Sequence, residues 1–167
     1  MRQLSYFLSA FVLILALAAC QSAPQEAERF AWHDTSVSEL QEAMAGGELT
    51  AEQLTRYYLE RIDAHNTNGI ELRAVNTVND NALSIARQLD EERQSGNVRG
   101  PLHGIPVLLK DNIDTADGMP NTAGSLLFKD NFPKDDAFLV KQLRDAGAII
   151  LGKANLSEWA NFRSTRS

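Results

Sequence analysis

Ile105-Pro106-Val107-Leu108-Leu109-Lys110-Asp111-Asn112 is the stretch on which the reading of the fold turns. Its apolar run is too short for a helix and is bounded by Gly104 on one side and Asp111-Asn112 on the other. That pattern predicts a strand over 105–109, buried on both faces. A second run of the same kind, Ala148-Ile149-Ile150-Leu151, predicts another over 148–151. Between them Phe138, Val140 and Leu143 recur at helical spacing, with Asp135 or Asp136 as the N-cap, Arg144 in the last turn and Gly147 as the stop.

The same reading extends toward the N-terminus. Residues 72–78 alternate in part and are partly β-branched, which predicts a strand. Asn79 or Asp80 caps a following helix that carries Leu83, Ala86 and Leu89. Upstream, Thr50-Ala51-Glu52-Gln53 is a capping box, in which the threonine hydroxyl and the glutamine side chain each satisfy an orphan amide. A further helix starts at Ser36 or Ser38 and stops at Gly46-Gly47. Strand, helix, strand, long loop, helix, strand is the order of an α/β fold with a mixed, largely parallel sheet flanked by helices. Two doubly buried strands need partners on both edges. The helices at hand cover one side, so the sheet is expected to be incomplete within these 167 residues, which stop in the polar stretch 162–167.

The first residues are a targeting segment and not part of the fold. Arg2 precedes an apolar run over 7–17 that is shorter than the roughly 20 residues of a membrane span. It meets Leu17-Ala18-Ala19-Cys20, which resembles a bacterial lipobox, cut before the cysteine so that the thiol carries lipid. The competing reading is an ordinary export signal cut near Ala18. Cys20 is the single cysteine of the chain, so neither an intramolecular disulfide nor a thiolate metal cluster is available. The expected organisation is a signal over 1–19, a lipid-attached tether over 20–34 and an α/β domain from 35 onward, anchored to the cell envelope. Removal of 1–19 takes away Arg2 and moves the formal net charge from −6 to −7. A mildly acidic chain with interspersed charges argues against a nucleic-acid partner, which wants a basic face.

Lys110 is the residue with the clearest chemical potential. It ends an apolar strand, at the edge where open α/β sheets bind ligands. A lysine in apolar surroundings has its charged form disfavoured and can serve as a general base near neutral pH; a strand-end lysine with its head in water is the alternative. His103, beside Gly104, reads as structural. Lys153 follows a buried strand, but Gly152 and Asn155 suggest a turn there. Asp111 and Asp114 lack the His or Glu that would complete a metal site, and no cofactor is implied. Ser125 shapes a Thr-Ala-Gly turn, and Ser157 reads as a helix N-cap.

Several segments, in order, resemble the amidase signature family: Pro101-Leu102-His103-Gly104-Ile105-Pro106, Lys110-Asp111-Asn112, Thr122-Ala123-Gly124-Ser125, Asp145-Ala146-Gly147-Ala148, and Leu151-Gly152-Lys153-Ala154-Asn155-Leu156-Ser157-Glu158-Trp159-Ala160-Asn161-Phe162. The nearest type within it acts on C-terminal carboxamides of peptides. The resemblance implies the N-terminal portion of an α/β/α amidase fold and a Ser–cis-Ser–Lys mechanism, with Lys110 as the lysine and an amide, small or peptidic, as substrate. It also implies that both serines belong to a glycine- and serine-rich segment beyond residue 167, so that these residues alone hold a base without its nucleophile. A non-catalytic exported binding lipoprotein is the alternative function; a tRNA-dependent transamidation subunit is the alternative within the family, opposed by the export signal.

Lipidation at Cys20 is directly testable. Labelled palmitate fed to the producing bacterium should enter the protein, and Cys20→Ala should abolish the label; label that survives the substitution would refute the anchor.

Overall fold

The computed structural model describes residues 30–161. The signal segment, Cys20 and most of the tether lie outside the described residues. From Asp34 onward the chain forms one compact unit.

Two helices open it. In α1, Val37–Gly46, Ser36 and Glu39 form a reciprocal capping box, and Gly47, at φ 76°, closes the C-terminus in the left-handed region. In α2, Ala51–Ile62, Thr50 and Gln53 form the expected second box. Two further amides of that end are satisfied from another helix: Ala51 N and Glu52 N donate to the two carboxylate oxygens of Asp90 at 2.7 and 3.0 Å. A carboxylate on a helix N-terminus is favoured by the aligned peptide dipoles. Asp90 belongs to α3, Ala82–Gln94, so the contact also fixes how α2 and α3 pack, with Leu54, Ala82, Ala86 and Leu89 buried.

The three strands are β1, Val75–Val78, β2, Pro106–Lys110, and β3, Ile149–Ala154, in the order β1-β3-β2. β2 runs parallel to β3 through the crossover helix α4, Phe138–Asp145, and β1 runs antiparallel to β3. The fold class expected from the sequence is therefore present, although within these residues the parallel character is confined to one of the two pairings. β1 begins three residues later than the alternation suggested. Glu71 and Arg73 have positive φ, and the amides of Leu72 and Arg73 bond back to His65 O and Asn66 O, so this backbone is committed to the helix end and not to a ladder.

The expected double burial holds for β3 and fails for β2. Residues 149–153 of β3 are all buried, whereas Leu108 is 41% exposed and Lys110 is exposed. The topology explains the difference. β3 has a neighbour on each edge, while β2 is an edge strand. One face of β2 is covered by a core of Leu109, Met119, Val140 and Ile150; Leu108 on the other face lines an apolar groove with Tyr58, Ile62, Val75 and Leu151. The helix caps differ too. α4 begins at Phe138 without a side-chain cap, because Asp136 is occupied by Ala116 N and by Arg144. Asn79 does not cap α3 as its N-cap residue. It bridges α3 to the sheet, accepting from Asn81 N and donating to Ile150 O.

β1 and β2 each present an unpaired edge among the described residues, and Leu126, Leu127 and Phe138 are each more than three-quarters exposed. Open edges beside apolar surface pair with other chains. The 167-residue chain produced alone should therefore self-associate in light scattering at micromolar concentration; a monomer with one sharp cooperative melt would contradict this.

Candidate active site

The C-terminal edge of the parallel pair β2–β3 is where three of the family-like segments converge, those at 110–112, 122–125 and 151–161. Lys110 and Ala154 are ladder partners, so the residues after each strand leave the sheet side by side. Asp111 N donates to Ala154 O at 3.0 Å, and Ile113 N closes a turn onto Lys110 O at 3.1 Å. A third segment, 121–125, folds over this edge. Ala123 N donates to Asp111 O at 2.7 Å, and Trp159 N donates to Ala123 O at 2.8 Å. Gly124 is held so close that a Cβ there would lie 2.7 Å from Leu156 O, and its φ of 73° suits glycine alone.

Asp111 ties these segments together. Its carboxylate is 1% exposed and accepts from Asn76 Nδ2 at 2.9 Å, Thr122 N at 3.2 Å and Thr122 Oγ1. Thr122 Oγ1 in turn accepts from Gly124 N at 3.0 Å. The carboxyl thus spends its lone pairs on three donors from two other segments, which makes it a structural acceptor and not half of a metal site with Asp114. Asp114 accepts from Asn121 Nδ2. Among the described residues no group of three or more His, Cys, Asp or Glu is placed to hold a metal ion.

Lys110 sits beside this junction, its Nζ donating to Asn155 O at 2.7 Å. Of the two readings, apolar enclosure and a head in water, the structure shows the second: Lys110 is exposed, because it ends an edge strand on the face opposite the core. The enclosed lysine is Lys153, which the sequence pattern placed in a turn. Lys153 lies within β3, has no exposed surface and donates to Ile113 O at 2.6 Å. Burial pushes its ammonium below the usual lysine range, opposed by the charges of Asp111, Asp117, Asp114 and Asp136. What hides this residue in the sequence is Gly152, which looks like a turn signal. In the structure Gly152 sits at a register shift, where a Cβ would lie 2.5 Å from Thr77 O of β1.

The remaining candidates have structural partners. His103 is fully buried; its Nε2 lies 2.8 Å from Leu89 O and its Nδ1 accepts from Arg99 N at 3.2 Å, which fixes the Nε2–H tautomer. Ser125 is buried in the loop, its amide on Thr122 O and its carbonyl on Phe128 N. Ser157 makes no side-chain cap, since the turn after it, Glu158–Ala160, is three residues long and contains Trp159 at φ 54°. A cleft of about 820 Å³ opens beside the junction, bounded by Arg73, Ala74 and residues 124–127 and 155–158. Next to it Phe128 and Trp159 meet edge to face with ring centres 5.2 Å apart.

With this geometry in hand, comparison with known proteins is decisive. The Amidase family model matches residues 53–167. The chain belongs to the amidase signature family. Its fold superposes on the native peptide amidase of Stenotrophomonas maltophilia with a TM-score of 0.77 and 53% identity, over 82% of this chain and 28% of that one. A Schizosaccharomyces pombe protein named as an amidase is 45% identical over 133 residues, 78% of this chain and 22% of its own length. A glutamyl-tRNA(Gln) amidotransferase subunit of Streptomyces avermitilis is 41% identical over 132 residues, 79% of this chain and 26% of its own. The chain thus spans about a quarter of the length of these relatives.

The Asp111 junction gives a measurable expectation. Asp111→Ala leaves the donors of Asn76 and Thr122 without an acceptor, each costing about 1–3 kcal/mol when buried. Denaturant unfolding should show a loss of at least about 2 kcal/mol. Amide exchange at Thr122 and Gly124 should accelerate while that at Leu54 stays protected in the folded state; an unchanged midpoint would show that the junction does not hold the loop.

Proposed function

We propose that the chain is the lysine-bearing part of an amide hydrolase that cleaves primary amides, C-terminal peptide carboxamides among them, and releases ammonia. The observation that carries this reading is Lys110: it lies in the family-matching segment, at the C-terminal edge of the parallel strands, with its amine on the carbonyl of Asn155, a wall residue of the open cleft. A neutral lysine amine has two N–H donors and one lone pair. Donating one N–H to Asn155 O restricts the directions in which that lone pair points. The amine then accepts a proton relayed through a second serine, held by a cis peptide, from the serine that attacks the amide carbonyl. The amine returns the proton to the leaving nitrogen. Serine is a weak nucleophile near neutral pH and needs its proton removed as it attacks. Both serines are assigned, on the resemblance, to the part of the family's length that these residues do not span, and on that reading the 167-residue chain alone is inactive.

The similarity to a peptide amidase at 53% identity, against 41% to the tRNA-dependent amidotransferase, favours hydrolysis over transamidation. The lipobox reading at Cys20 points the same way, since it places the enzyme outside the compartment of charged tRNA. Family membership weighs against a solute-binding lipoprotein. The enzyme is proposed to work at the cell envelope, tethered through Cys20, on amides that reach it there.

Lys110→Arg separates chemistry from charge. The full-length gene product should release ammonia from peptide carboxamides, and both Lys110→Ala and Lys110→Arg should lower kcat by about 10²–10⁴, because guanidinium keeps its proton. An arginine variant with most of its rate intact would make Lys110 an electrostatic residue and overturn the mechanism.

A further inference from the structure

We propose that Lys153 is a second lysine on which the reaction depends, a positioning residue that holds the turn presenting Lys110 from the opposite face of the sheet. This rests on the assignment of Lys110 as the base.

The ladder supplies the geometry. Val107 pairs with Ile150 and Leu109 with Lys153, the register shift falling between them. Directly opposed residues share a face, and Val107 and Leu109 share one by alternation. The shift therefore brings Lys153 onto the face of Ile150, inside the core of Leu109, Met119 and Val140. Lys110 pairs with Ala154 and points to the other face.

From the core side the Lys153 ammonium reaches Ile113 O at 2.6 Å. Ile113 is the last residue of the turn that Lys110 begins, closed by Ile113 N on Lys110 O at 3.1 Å. The near end of that turn is held by Asp111 N on Ala154 O at 3.0 Å. The far end is held by Lys153. Both anchors come from consecutive residues of β3, and Asn155, the next residue, receives the Lys110 amine. Three successive residues at the end of one buried strand thus place the turn, its entry and the amine itself.

An apolar side chain would fill the same space at less desolvation cost. What lysine adds is a donor long enough to reach past the strand end, and a positive charge facing Asp111, Asp114, Asp117 and Asp136. Loss of the donor frees Ile113 O and lets the turn relax, which moves the base relative to its proton donor while the cleft at 124–127 and 155–158 keeps its walls. The consequence falls on the chemical step.

The test uses the full-length gene product with Lys153→Met, which matches the side chain in length and removes the donor, and Lys110→Ala as the reference. Lys153→Met should lower kcat about 10- to 100-fold while KM for a peptide carboxamide stays within about threefold, with the far-UV spectrum unchanged. Lys153→Gln serves where the Met variant does not fold. Unchanged kcat in a folded Lys153 variant, or a rise in KM alone, overturns the inference while inactive Lys110→Ala leaves the base assignment standing. Failure of both Lys153 variants to yield folded protein also overturns it, since Lys153 would then serve the fold and not the reaction. A fully active Lys110→Ala instead refutes the base assignment itself.

Discussion

Gly152 has no room for a side chain. A Cβ at this position would lie 2.5 Å from Thr77 O and 3.3 Å from Val78 Cα, so β1 can approach β3 closely only because residue 152 is glycine. The register of β3 against β2 shifts at the same place. These two facts organise the sheet edge. Before the shift, Ile150 faces the α4 core; after it, Lys153 does, and Ala154 is left opposite Lys110 on the other side. An unshifted ladder would invert that arrangement, because one residue of slip exchanges the two faces of a strand. The face that each of the two lysines takes is therefore set at the point where β1 makes its close backbone contact.

The fold was legible wherever a periodic pattern met a local stop signal. Thr50 with Gln53, Gly47 and the buried run of β3 all appear where the residues place them, since capping and burial are decided over a few neighbours. The misreadings are tertiary. Leu72 belongs to no strand, because the amides at 72 and 73 find acceptors at the end of the preceding helix. Asp136 does not cap α4, because Ala116 N, from across a long loop, and Arg144, in α4 itself, occupy its carboxylate. At the site, Lys110 is singled out by its place at the end of an apolar run, and its exposure matches the reading of a strand-end lysine with its head in water; burial could not be decided, since an edge strand and a central strand of the same composition read alike. Lys153 was missed for the reverse reason. Glycine signals a turn in isolation and permits close packing inside a sheet, and only the neighbouring strand distinguishes the two.

Charged groups gather on one side of the sheet, some buried and some half-buried. Arg144 bridges Asp117 at 2.7 Å and Asp136 at 2.9 Å beneath the loop that follows the Lys110 turn. Replacing buried ion pairs by apolar groups is often neutral or stabilising in proteins, so their presence is weak evidence for stability as such. Their common property here is location: Asp111, Asp114, Asp117, Asp136, Arg144 and Lys153 all lie on or against residues 111–117, the backbone that leads away from Lys110. Polar networks specify one arrangement where apolar packing tolerates several.

That concentration bears on how the exposed Lys110, proposed as the base, is held in place. Burial fixes a side chain's position but closes it to solvent and substrate; exposure does the reverse. In this chain the two requirements are divided between residues. Lys153 accepts the burial and spends its charge on a carbonyl and the surrounding carboxylates. Lys110 keeps its amine on Asn155 O, and Asn155 is a wall residue of the cleft. The two side chains face opposite sides of the sheet, and the turn that joins them is the proposed link. A single lysine fixed by burial would sit inside the core, where a substrate could not reach it. Placing the anchor Lys153 and the proposed base Lys110 on the two faces of one strand pair resolves that conflict, and the register shift beside Gly152 sets those two faces apart.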